Sequence, residues 1–209
     1  MKMLILFIML IAGCLFGLVL KYIINYLINK RGFHTLKHNK LKAYFIIIFN
    51  GLGWLSTVAI LGLNIRSIQV ILVISICLVL SIIDIEIRKI PNEIILLLFI
   101  MTVSFFLIGG SLNTALSHFI GFMVGMLIFI MPFLFKTIAG GGDIKYAAAM
   151  GFCLGYPNIL RAILIMSGAL FIWLIYLLLT KKGGLKTQLA MGAFMSIGFV
   201  TTLIISNIK

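Results

Sequence analysis

The chain has four acidic residues in 209, namely Asp84, Glu86, Glu93 and Asp143. Asp84 ends an apolar run over residues 68–83 that contains no charge. An aspartate deep in a membrane span costs about 2.5 to 3.5 kcal/mol to insert, and less toward the end of the span. Asp143 directly follows three glycines in the stretch AGGGDIK. Asp143 follows the fifth predicted span, on the same side of the membrane as Asp84. Because two helix ends thus bring a carboxylate to the same depth, both aspartates are candidates for a functional site.

The two aspartates together could form a catalytic pair. Gly140, Gly141 and Gly142 have no side chain, so the backbone there can take positive φ values and approach another helix closely. Such a turn could carry Asp143 toward Asp84. Two carboxylates a few ångströms apart tend to share one proton, because both cannot ionise cheaply. One then acts as base on a bound water and the other as acid on a peptide carbonyl, which is the chemistry of an aspartic protease.

The acidic residues also fit structural roles. Asp143 precedes IKYAAAM, which is typical of a helix, and aspartate is a favoured N-cap residue. Asp84 and Arg88 have the i, i+4 spacing of a helical ion pair. Glu86 and Glu93 are expected at the surface or at helix caps. From these residues alone, capping, an ion pair and catalysis all remain open.

The elements that carry these residues are predicted to be membrane helices. The chain is 63% hydrophobic and 10% charged, with a mean hydropathy of +1.28, whereas soluble domains are roughly 25% charged. We predict an all-α, polytopic membrane helix bundle that forms a single domain over residues 1–209. About eight transmembrane segments are expected, the sixth short or tilted: 4–20 extending toward 28, 43–63, 68–85, 93–109, 115–135, 146–156, 159–180 and 189–208.

The basic residues indicate how the chain is oriented. With the N-terminus outside, thirteen of the seventeen Lys and Arg residues lie on the inner side. Positive charge is retained in cytoplasmic loops, so we predict a plasma-membrane protein in which residues 21–42 form a basic cytoplasmic loop and both aspartates face the cytoplasm. The net charge of +13 indicates anchoring to anionic lipid on that side and not a nucleic-acid surface.

No metal or cofactor is predicted. Cys14, Cys77 and Cys153 lie in apolar stretches without CxxC spacing. His34 and His38 are four residues apart, as metal ligands on a helix can be, but no glutamate lies between them and their surroundings are basic. We interpret this segment as a solvated basic loop.

Proline and glycine predict where helices end and where they pack. Pro91 cannot continue the third helix, so Asp84 stays near a helix end and Asn92 can cap the next helix. GxxxG spacing, at Gly13 and Gly17 and again at Gly121 and Gly125, predicts close helix packing.

Two motifs together resemble those of the prepilin peptidases, membrane aspartic proteases that process type IV prepilins and related pseudopilins. SIIDIEIRKIPNE, followed some fifty residues later by GGGDIKYAAAMG, is similar to the ID...IPN and GxGDxK segments of that family. LAMGAFMSIG near the end is similar to the last-helix pattern, without its usual prolines. The resemblance implies that Asp84 and Asp143 are the catalytic pair. It implies a supporting or substrate-binding role for Gly140, Gly141, Gly142, Lys145, Pro91 and Asn92.

The resemblance also implies a substrate and a reaction. Family members cut a prepilin or pseudopilin after a glycine, between a short basic leader and an apolar helix, at the cytoplasmic face and without a metal. Lys145 is expected to orient Asp143 or to balance local charge. Many members have a four-cysteine zinc loop between the first two spans and also methylate the new N-terminus. Those cysteines are absent here, so N-methyltransferase activity is an open alternative. The motifs do not specify an oligomeric state.

Two other functions use the same residues. Intramembrane proteases of the presenilin and signal peptide peptidase type share GxGD, but their partner motif is Tyr-Asp, whereas Ile83 precedes Asp84. A cation or proton transporter could use the two carboxylates as a relay.

Overall fold

Eight α-helices make up the computed structural model, which describes residues 2–32, 40–109, 111–134, 140–180 and 189–208. No strand occurs within these ranges, so the predicted all-α bundle is confirmed. The helices are α1 Lys2–Lys30, α2 Lys40–Leu61, α3 Ile65–Ile87, α4 Asn92–Gly109, α5 Leu112–Leu134, α6 Gly141–Leu154, α7 Asn158–Leu179 and α8 Met191–Asn207.

The lengths of the helices agree with a multi-pass membrane protein. Within the described ranges, α1, α2, α3, α5 and α7 are long and apolar enough to cross a membrane, and α4 and α8 are shorter apolar helices. α6 has 14 residues, which corresponds to about 21 Å, against a hydrocarbon core of about 30 Å. The short sixth segment predicted from the sequence is therefore present.

α1 passes through Lys21, as predicted for a first segment that extends toward residue 28. The helix continues to Lys30 and α2 begins at Lys40, so the predicted loop over residues 21–42 is wrong for residues 21–30 and 40–42. A lysine stem can run along a helix surface while its ammonium group reaches water, so one lysine does not end an apolar helix. Residues 33–39, which include His34 and His38, lie outside the described part of the chain.

α3 is the central helix of the bundle. It packs against α8, α2, α1 and α4, because its apolar residues surround the helix instead of forming one stripe. A capping box starts it: Asn64 Oδ1 accepts from Ser67 N–H at 2.7 Å, and Ser67 Oγ accepts from Asn64 N–H at 2.9 Å. The helix ends at Ile87, after which Arg88 adopts a left-handed conformation with φ 51°.

Glycines bring α5 and α6 into backbone contact, as their spacing predicts. A Cβ atom added to Gly151 would lie 2.1 Å from Gly121 O, and one added to Gly125 would lie 2.4 Å from Ala147 O. Because the two helices run antiparallel, the start of α6, which carries Asp143, lies toward the end of α5.

Candidate active site

Asp84 is held by the first turn of another helix. It lies three residues before the end of α3 and is 5% exposed. Its Oδ2 accepts a hydrogen bond from the Gly192 backbone N–H at 2.7 Å. Gly192 is the second residue of α8, and the N-cap residue Ala190 makes no side-chain cap. Asp84 thus supplies an acceptor to an N–H group that has no partner within α8, where the helix dipole stabilises negative charge.

Asp143 is held in the same way by its own helix. Gly140 is the N-cap residue of α6, and Asp143 is the third helical residue, so the N-cap role considered for Asp143 is wrong by three positions. Its Oδ2 accepts from Gly140 N–H at 2.8 Å.

The two aspartates line one cavity of about 420 Å³. α3 contributes Asp84 from one side, and the start of α6 contributes Asp143 from the other. The other lining residues are Arg31, Arg88, Lys89, Ile90, Asn92, Gly140, Gly141, Gly142 and Lys145. The structure thus brings together both predicted acidic residues and, except for Pro91, all the predicted supporting residues.

The glycine cluster provides space and not an unusual backbone conformation. Positive φ values in the described chain occur at Gly32, Gly62, Gly155 and Arg88, so residues 140–142 do not use the positive φ values that glycine allows. A Cβ atom added to Gly142 would lie 3.1 Å from Ile90 Cβ. Because a glycine stands there, α6 can start against the turn that follows α3, which brings Asp143 to the cavity.

Lys145, Asn92 and Pro91 join α6 to the start of α4. Lys145 Nζ donates to Asn92 Oδ1 at 3.1 Å. The N–H of Ile95 donates to Pro91 O at 3.2 Å, so Pro91 occupies the N-cap position and Asn92 is the first helical residue. The predicted capping role of Asn92 is therefore wrong, and its side chain instead links two helices of the site.

The remaining two acidic residues form ion pairs between helices. Glu86 of α3 pairs with Lys42 of α2. Glu93 of α4 pairs with Lys30 Nζ at 3.3 Å and with Arg31 Nη2 at 3.1 Å. The described residues contain no cluster of three or more His, Cys, Asp or Glu side chains suited to a metal ion.

A row of buried, hydrogen-bonded polar side chains inside the bundle was not predicted from the sequence. Ser196 Oγ donates to Gly192 O at 2.8 Å, and it lies 2.8 Å from Tyr146 OH, which lies 3.3 Å from Cys77 Sγ. This row of side chains links α3, α6 and α8, the helices that carry Asp84, Asp143 and Gly192. Tyr146 and Ser196 lie one helical turn beyond Asp143 and Gly192, but sequence spacing alone does not show that these turns meet.

Replacing Tyr146 by Phe should loosen this link without emptying the core. We expect a loss of about 1 kcal/mol in stability, because the hydrogen bond to Ser196 and the weaker one to Cys77 are removed, and a fall of about 2 to 4 °C in the unfolding temperature. Thermal unfolding of the purified protein in detergent measures the change. Tyr176→Phe, at a residue that is 47% exposed, is the matched control and should unfold like the wild type. Equal unfolding temperatures for both variants would contradict the role of the Tyr146 hydroxyl.

The fold and cavity define a multi-pass membrane protein in which an aspartate pair lines one polar cavity. Residues 71–178, which include both aspartates, match the model of the type IV leader peptidase family. The chain is also similar to a prepilin leader peptidase/N-methyltransferase of Pectobacterium carotovorum subsp. carotovorum, with 33% identity over 166 residues, 75% of this chain and 56% of the relative. It belongs to the type IV leader peptidase family.

The match covers only part of this relative, since the chain spans about half of its length. No solved structure matches the chain significantly. Gly192 and Arg31 lie outside the matched residues 71–178, although the structure brings both to the aspartates.

Proposed function

We propose that the protein is an aspartic endopeptidase that removes the basic leader peptide from type IV prepilins or prepilin-like pseudopilins. Its family supports peptidase activity. The observation that carries the mechanism is the single cavity lined by Asp84 and Asp143, whose carboxylates come from two different helices. Two aspartates that served only to cap helices would have no need to line the same polar cavity. This cavity is large enough for a peptide segment and water.

In the proposed mechanism, the two carboxylates share one proton and bind a water molecule between them. Asp84 Oδ2 and Asp143 Oδ2 accept backbone N–H groups, and we assign the Oδ1 atoms to the water. The ionised carboxylate takes a proton from the water as its oxygen bonds to the peptide carbonyl carbon. The protonated carboxyl polarises the carbonyl and then supplies the proton of the departing amine as the C–N bond breaks.

We propose further that the cavity faces the cytoplasm, that the N-terminus is outside the plasma membrane, and that anionic lipid surrounds the basic end of the bundle. The supporting observation is that Arg31, Arg88, Lys89 and Lys145 all line the cavity. Positive side chains are retained on the cytoplasmic side and attract anionic lipid there. Labelling of Thr180→Cys in intact cells by a membrane-impermeant maleimide would contradict this orientation.

The proposed activity is tested with the purified full-length protein in liposomes and a purified prepilin that retains its leader. We expect a product shortened by the leader, formed at the same rate with or without a chelator. In a parallel reaction that also contains a sulfonium methyl donor, the mass of the new N-terminus shows whether a methyl group is added, the second activity that the relative's name includes. An intact prepilin after incubation with correctly inserted protein would refute the peptidase proposal. Ion flux without cleavage, lost in Asp84→Asn, would support a transporter.

A further inference from the structure

Arg31 is a cavity residue that was predicted only as part of a basic loop. It follows the last residue of α1 and lines the cavity of Asp84 and Asp143. Its backbone N–H donates to Ile28 O at 3.1 Å. Its side chain is 24% exposed, and its Nη2 donates to Glu93 Oε2 at 3.1 Å. The guanidinium is therefore fixed at the cavity by a turn on one side and by an ion pair on the other.

The second terminal nitrogen of Arg31 is an unused donor. Nη1 is buried and has no hydrogen-bond partner among the residues that the structure describes. A buried cationic N–H without an acceptor is unfavourable, and folded proteins leave few of them. Asn25 Oδ1 and Thr202 Oγ1 are also buried without a partner in the described chain, but neither residue lines this cavity. Arg31 thus provides a donor whose acceptor is expected from a bound molecule.

The charges of the cavity narrow the chemistry of this acceptor. Four basic side chains line it, those of Arg31, Arg88, Lys89 and Lys145, together with the two aspartates. This excess of positive charge disfavours a basic side chain of a leader and favours an oxygen that gains negative charge. The carbonyl oxygen of a peptide bond under attack by water is such an oxygen, because its π electron pair moves onto it as the water adds.

We infer that Arg31 Nη1 donates a hydrogen bond to the carbonyl oxygen of the peptide bond that is cut, an inference that rests on the proposed peptidase function. The water oxygen bonds to the carbonyl carbon, and the ionised carboxylate takes the water proton. When the oxyanion collapses, the C–N bond breaks and the leaving amine takes the proton of the other carboxyl. Arg31 keeps its proton throughout and stabilises the oxyanion, and Glu93 is a positioning residue for Arg31.

The test compares Arg31→Gln, Arg31→Lys and Lys30→Gln in liposomes with a purified prepilin. We expect Arg31→Gln to lower kcat about tenfold with little change in KM. This fall in kcat is smaller than that for the loss of a dedicated oxyanion donor, because the other basic side chains of the cavity remain. Added guanidinium ion should restore part of this kcat by replacing the lost donor. Lys30→Gln removes the neighbouring ion pair with Glu93 but no cavity group, so it should keep the kcat of the wild type.

Several outcomes would overturn the inference. A wild-type kcat in Arg31→Gln, while Asp84→Asn is inactive, would remove the role of Arg31 and leave the peptidase proposal intact. An equal loss of kcat in Lys30→Gln and Arg31→Gln, without rescue by guanidinium, would mean that the ion pairs of Glu93 only hold α1 against α4.

If Arg31→Gln fails to insert into the membrane, Arg31→Lys is the deciding variant, because lysine keeps the charge but lacks the two-nitrogen fork. A wild-type kcat in that variant overturns the inference, and a lowered kcat that guanidinium raises supports it. No cleavage by the wild type removes both proposals.

Discussion

Asp84→Asn and Asp143→Asn are each expected to lower prepilin cleavage by about 10²- to 10⁴-fold, the range that a positioned acid or base contributes. Asparagine has nearly the shape of aspartate, and its amide oxygen can still accept the backbone N–H of Gly192 or Gly140. It cannot take a proton from water or supply one to the amine. The fold should therefore persist while the chemistry is lost, which leader removal from a purified prepilin measures.

Glu86→Gln is the matched control for the two aspartate variants. It makes the same carboxyl-to-amide change on α3, two residues after Asp84, but Glu86 pairs with Lys42 and does not line the cavity. We expect its cleavage rate to equal that of the wild type. Cleavage retained by Asp84→Asn or Asp143→Asn, at equal membrane insertion, would refute the two-aspartate mechanism.

Gly192→Ala is expected to lower kcat by about 10- to 100-fold, because its effect falls directly on Asp84. The added Cβ atom would lie 3.0 Å from Asp84 Oδ2 and 3.2 Å from Cγ, closer than ordinary van der Waals contact. Either the carboxylate or the start of α8 must move by a few tenths of an ångström. A displacement of about 1 Å at a catalytic group can cost about 10² in rate. The kcat of the variant in liposomes measures the effect.

Gly168→Ala on α7 is the control for Gly192→Ala, since a Cβ atom there has nothing within 4 Å. It should have the wild-type kcat and a stability equal to or above that of the wild type, because alanine favours a helix more than glycine does. If the two variants had the same kcat, Gly192 would not be required to position Asp84.

Local features of the sequence were sufficient to predict the fold class and the acidic pair. Hydrophobic runs near the length of a bilayer predict membrane helices because lipid requires every backbone polar group to be paired within the helix. Asp84 and Asp143 were identifiable because carboxylates are rare and costly in such segments. The close packing at Gly121 and Gly125 was predictable for a similar reason, since small residues at helical spacing allow backbones to approach.

Errors in the sequence predictions arose where a neighbouring helix decides the conformation. The predicted loop over residues 21–42 was too long at both ends, because burial of the apolar residues after Lys21 outweighs one lysine that reaches water, and α2 already begins at Lys40. Asn92 favours a cap by its local propensity, but Pro91 takes the N-cap position and the Asn92 amide bonds to Lys145 of α6. The glycines before Asp143 permit positive φ values. In the structure, their effect is instead the close contact between Gly142 and Ile90.

Hydropathy and the positions of the acidic residues are sufficient to define a membrane helix bundle with two aspartates near helix ends. The groups that surround the aspartates follow only from the packing of the helices: the Gly192 N–H on Asp84, the hydrogen-bonded hydroxyls of Tyr146 and Ser196, and the Arg31 guanidinium at the same cavity. The difference lies in the range over which the interactions act. Transfer free energies and helix propensities depend on residues close in the chain, whereas hydrogen bonds between helices depend on how distant segments pack.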